Sequence, residues 1–164
     1  MKTKFFLLIG LLVFAGVVWG QNEDRQSKVA AKEAKVKKTV DSGQFQVVMN
    51  QAHPMGGRMI SLTPEYTLTL AKDSAISYLP YFGRAYSAPL NSEGGIKFTE
   101  LMHDKKISFN AKKGNYTLSF KVQAKEDTYL FFITVWLNGS VTVSVTSNNR
   151  QPIDFSGEVL LPEL

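Results

Sequence analysis

The chain has 164 residues, 44% of them hydrophobic, with 19 basic against 14 acidic side chains and a formal charge of +5. That balance excludes a disordered chain and suits one domain with a self-sufficient core. The absence of cysteine excludes disulfides, thiolate metal sites, a cysteine nucleophile and a lipid-modified cysteine.

Residues 1–20 have the layout of a secretory signal peptide. Lys2 and Lys4 make a positive start, Phe5 to Val18 is an uncharged apolar run, and Val18-Trp19-Gly20 offers small residues where a signal peptidase reads. The run is shorter than the roughly 20 residues of a comfortable membrane span. The expected product begins at Gln21, is periplasmic or secreted, and has no stable membrane span after cleavage. Losing Lys2 and Lys4 also lowers its basic surplus.

Residues 21–43 are expected to form an amphipathic N-terminal helix. Val29, Val36 and Val40 make a narrow apolar stripe among Lys28, Lys32, Lys35, Lys37 and Lys38, and Gly43 is placed to cap the C-terminus. The lysines read as a solvated face, with no nucleic-acid role expected in an exported protein.

From residue 44 to 164 the period changes to two. Phe45, Val47 and Met49 alternate with polar residues, as do Tyr66, Leu68 and Leu70, then Tyr116, Leu118, Phe120 and Val122. Ile107 and Phe109, and later Ile153, Phe155 and Val159, continue the pattern. The fold expected is mainly β: one antiparallel β-sandwich or small β-barrel of about 8–10 strands with one N-terminal α-helix.

Three turns give registers. Asn138-Gly139 reads as a two-residue hairpin turn, which pairs Trp136 with Val141, Thr134 with Val143 and Phe132 with Val145, and places that face in the core. Tyr129, Phe131, Ile133 and Val135 then lie on the opposite face, beside Thr142, Ser144 and Thr146, under some cover. A turn at Lys113-Gly114 pairs Phe109 with Leu118, or, shifted by one residue in the loop, with Phe120. A third turn lies at Lys72-Asp73-Ser74.

Pro80 to Gly95 is the longest irregular stretch, broken by Gly83, Pro89 and Gly94. The segment Ser77 to Pro89, which overlaps it, carries the candidate ligand-binding residues Tyr78, Tyr81, Phe82, Arg84 and Tyr86. Rings stack and a guanidinium makes a forked contact to an anion. The competing reading is a plug that folds back over one end of the β-layer, and buried rings with satisfied hydroxyls would favour it. Arg58, after Gly56-Gly57, and Asn149 and Arg150, in the polar loop 147–152, complete the candidate set. Either of those segments also reads as a plain turn. His53 and His103 belong to no metal spacing, and no nucleophile motif is present, so no catalytic residue, metal or cofactor is expected.

Four blocks carry a family resemblance: Pro54-Met55-Gly56-Gly57-Arg58, Tyr78 through Pro89, Gly94-Gly95-Ile96-Lys97-Phe98, and Ser147 through Ile153. Across roughly residues 25 to 160 the chain resembles the exported bacterial family called domain of unknown function 4251. The resemblance implies export and a mostly β domain after an N-terminal helix, and it implies no catalytic residues. The expected function is a non-catalytic exported domain that binds a small molecule or glycan. The alternative is a protein-interaction or inhibitor module acting on an envelope protein.

Overall fold

The computed structural model describes residues 25–86, 94–125 and 127–162. Residues 1–24, on which the expected signal peptide and cleavage site fall, and the middle of the 80–95 loop lie outside them. Helix α1 covers residues 25–41. Ten strands follow: β1 (Gln44–Pro54), β2 (Ile60–Ser61), β3 (Thr67–Ala71), β4 (Ser74–Leu79), β5 (Ile96–Leu101), β6 (His103–Asn110), β7 (Asn115–Gln123), β8 (Thr128–Trp136), β9 (Ser140–Ser147) and β10 (Ile153–Leu160).

They make one antiparallel sheet in the order β5-β4-β3-β1-β10-β9-β8-β7-β6, with β2 beside the end of β1. The sheet is two meanders joined where β1 pairs with β10. Its outer members are consecutive in the chain. β5 and β6 run in the same sense, so residues 96–110 act as one long strand that leaves β4 at Met102 and joins β7. Asp104 takes a positive φ of 54° at the irregularity between His103 and Lys106. The result is a nearly closed barrel, the second of the two expected architectures. Phe98 on β5 stacks against Tyr129 and meets Phe131 edge-on, each with ring centres 5.7 Å apart, across the interior.

Side chains fill the barrel. Phe45, Val47 and Met49 on β1, Leu68 and Leu70 on β3, Leu118, Phe120 and Val122 on β7, and Ile153, Phe155 and Val159 on β10 are all buried, as their alternation predicts. The β8–β9 hairpin differs. Its pairs are Val135 with Val141, Ile133 with Val143 and Phe131 with Val145. The loop has three residues, Leu137 to Gly139, and Gly139 alone takes the left-handed conformation, with φ of 90°. Asn138 instead accepts hydrogen bonds from Ser140 N at 2.9 Å and Ser140 Oγ at 2.7 Å. One residue of slip turns every side chain over. Phe131, Ile133 and Val135 are therefore core, whereas Phe132, placed in the core by the two-residue turn, is 50% exposed.

The β6–β7 loop has four residues, 111–114, which pairs Phe109 with Tyr116 and Ile107 with Leu118. That is two residues from the expected register, so the face is kept. Ile107 and Phe109 nevertheless remain exposed, on a strand that ends the sheet and pairs on one side only, with β7.

α1 closes this end. Val36 and Val40 are fully buried, while Val29, at the start of the expected stripe, is exposed. Full burial of each valine is worth roughly 1.5–3 kcal/mol. Gly43 takes a φ of 67° and ends the helix, its N–H donating to Val40 O at 3.0 Å. Lys37 lies 5.3 Å from the centre of the Phe109 ring.

Tyr116 donates its hydroxyl to Asp41 Oδ1 at 2.8 Å and so ties β7 to the last turn of α1. Burial, then the bond and charge of Asp41, push its pKa up to about 12. An unfolded phenol ionises near 10. The folded chain thus keeps a proton that the unfolded chain loses, so this contribution is complete below pH 10 and disappears as pH rises toward 12. Tyr116→Phe is expected to lower stability by about 1 kcal/mol at pH 8. Denaturant titrations of the two proteins should show that gap closing between pH 10 and 12.

Candidate functional site

The end of the barrel opposite α1 gathers most of the candidate residues. The strand pairing brings the ends of β1, β4, β7 and β9 here, with the starts of β5, β8 and β10. Two loops meet over it, residues 80–86 and 148–152, and Ala85 forms an isolated antiparallel bridge with Arg150. Tyr86 N donates to Asn149 O at 2.7 Å and Gln151 N to Arg84 O at 3.1 Å. Gln151 Oε1 accepts from Arg84 N at 3.3 Å.

Three side chains anchor this joint from below. Arg150 is 6% exposed; its Nη1 donates to Gly95 O, and its guanidinium lies 5.2 Å from the Tyr81 ring centre. Tyr81 is half-buried, and its hydroxyl is shared between Arg84 O at 3.0 Å and Gln151 O at 3.1 Å. Burial raises the Tyr81 pKa above its ordinary value, with the Arg150 charge pulling the other way. Asp127, 7% exposed, accepts from Thr128 N at 2.8 Å and from Asn148 N and Asn149 N at 3.3 Å each, joining the β7–β8 turn to the 148–152 loop. Ser147 Oγ accepts from Arg150 N at 3.1 Å.

The candidate set therefore divides. Tyr81 and Arg150 are built into the structure, and Phe82 is half-buried against the core. Asn149 holds its neighbours through its main chain. Arg84 and Tyr86 project from the pinned strip, and Tyr86 is 67% exposed. Arg58 is exposed in the turn after β1, at the same end of the barrel. Tyr78 is not part of this group. It lies on the outer face of β4, with Tyr66 stacked 5.7 Å away on the β3 side and Lys97 Nζ 4.9 Å from its ring centre on the β5 side. These contacts engage the ring, though Tyr78 stays 43% exposed.

Sequence reasoning missed Asp127. It sits beside a turn, where acids are normally solvated, and nothing local announces that three N–H groups from two loops converge on it. His53 Nε2 is 3.0 Å from Ser156 Oγ, and His103 is exposed on β6. Among the described residues no group of three or more His, Asp or Glu side chains is placed to hold a metal ion.

Fold and site together define an antiparallel barrel-like domain plugged by a helix at one end and by interlocked loops at the other. The chain belongs to the family described as domain of unknown function (DUF4251), which it matches over residues 27–159. A crystal structure of a DUF4251 family protein from Bacteroides eggerthii DSM 20697 is similar, with a TM-score of 0.65 and 23% identity, over 83% of this chain and 91% of that one. At that identity the likeness speaks for the fold. No curated protein matches the chain.

Proposed function

We propose that the chain is an exported, non-catalytic binding domain whose contact surface is the strip bearing Arg84 and Tyr86. The observation that carries this reading is the division of labour in the loop. Its backbone is held by the bridge to residues 149–151, with Arg150 buried and Tyr81 half-buried beneath it, yet a cation and a ring are left facing water. Rigid presentation of exposed groups lowers the ordering cost of binding. Arg84 suits a carboxylate or phosphate and Tyr86 a flat sugar or ring face. A small molecule or glycan carrying an anionic group satisfies both. Export rests on the N-terminal leader. The non-catalytic reading rests on the sequence, in which His53 and His103 belong to no metal spacing and no nucleophile motif is present.

The test is a binding screen of acidic and neutral oligosaccharides against the protein recovered from the bacterial envelope, with its N-terminus sequenced. Saturable binding of an acidic glycan by a product beginning at Gln21 is expected. Arg84→Ala with Tyr86→Ala should weaken it ten- to hundredfold at unchanged Tm, the size of a lost charge-assisted bond. Binding that survives the double substitution would refute the assignment.

A further inference from the structure

At the opposite end of the barrel, away from Arg84 and Tyr86, α1 and the end of the β1–β10 pair enclose a groove of about 850 Å³. That is within the range of about 300–1,000 Å³ occupied by small-molecule sites. Lys35, Lys38 and Thr39 lie along its helical wall, Phe45 is at its foot, and Leu160 and Leu161 form the far side. Residues 35, 38 and 39 share one face of the helix, next to the stripe that Val36 and Val40 bury.

The chemistry of this groove is lopsided. Its floor and far wall are apolar, and Leu160 is left 55% exposed. Ser42, which also lines it, is internally satisfied: its Oγ donates to Thr39 O at 2.7 Å and accepts from Gln44 N at 3.1 Å. Among the described residues no acidic side chain lines the groove, and neither lysine pairs with an acid. The groove therefore offers apolar surface inside and two ammonium groups along its helical rim. We propose that it binds a single-chain amphiphile with an anionic head, the hydrocarbon lying against Phe45, Leu160 and Leu161 and the head meeting Lys35 and Lys38. A bound carboxylate supplies a counter-charge to the two lysines, and a bound chain covers Leu160.

Dodecanoate below its micellar concentration is the probe, followed by calorimetry on the purified protein. Saturable 1:1 binding is expected, with dodecyltrimethylammonium, the same chain under a cationic head, binding at least about tenfold more weakly. Lys35→Gln with Lys38→Gln should reduce dodecanoate affinity about tenfold, and Leu160→Asn should also weaken it. Lys35 is half-buried and Lys38 and Leu160 are exposed, and unchanged Tm would confirm that the variants fold. Arg84→Ala with Tyr86→Ala should leave dodecanoate binding intact, which separates this site from the loop. Three results would overturn the proposal: no saturable binding, equal affinity for the cationic amphiphile, or attachment to anionic vesicles without binding of the free amphiphile.

Discussion

Gly157→Ala is expected to destabilise the protein by about 3 kcal/mol and to lower its Tm by roughly 10 °C. Gly157 pairs with Met49 next to the irregularity in β1, where the register shifts between Met49 and Gln51. A Cβ built on Gly157 lies 2.1 Å from Val48 O and 3.0 Å from Met49 Cα. The obstruction is main chain, so no rotamer change relieves it. The joint would have to open, and that joint is the single seam between the two meanders. Gly57→Ala is the control. Its added methyl meets only the Pro54 ring, at 3.3 Å, and it should change Tm by no more than a degree or two. Equal melting curves for Gly157→Ala and the wild type would show that β1 and β10 do not approach this closely.

Arg150→Met should cost about 2–3 kcal/mol and release the strip at residues 80–86. Methionine keeps much of the aliphatic packing but leaves Gly95 O without the guanidinium and removes the cation from beside Tyr81. Arg150→Lys should rescue little, because one ammonium cannot reproduce a planar fork. Limited trypsin digestion reads the effect directly. Cleavage after Arg84 should be slow in the wild type, where its carbonyl is held by Gln151 N and Tyr81 Oη, and fast in the Arg150→Met variant. Unaltered resistance of that bond would mean that the bridge between the loops stands without its buried anchor.

The strand-rich fold was legible because it rests on local period. Val47, Leu68, Phe120 and Phe155 alternate with polar neighbours, and each is buried. Registers were less legible because they depend on turn conformation. Asn-Gly is compatible with a two-residue turn, but at Asn138-Gly139 the side-chain amide bonds Ser140, and the third loop residue reverses the faces of β8. Choosing barrel over sandwich required knowing that residues 96–110 change partners at Met102, which no short-range signal encodes. The same limit applies at the loops. Tyr81 and Tyr86 look alike in sequence, as do Arg84 and Arg150. Their difference comes from the distant carbonyls of Gln151 and Gly95, which internalise one of each pair. The lysine-rimmed groove was invisible for the same reason, since its walls come from the first and last parts of the domain.

The β1–β10 seam also bears on biogenesis. The first strand to be synthesised finds its long-range neighbour only in the last, so loop closure spanning almost the whole domain must precede the final zipping of the sheet. A nascent polypeptide lacking residues 153–160 leaves β1 and β9 with bare edges, and the cooperative unit cannot form. Folding is thereby deferred until the ribosome has released residues 153–160, so the sheet closes only after synthesis of the domain is almost complete.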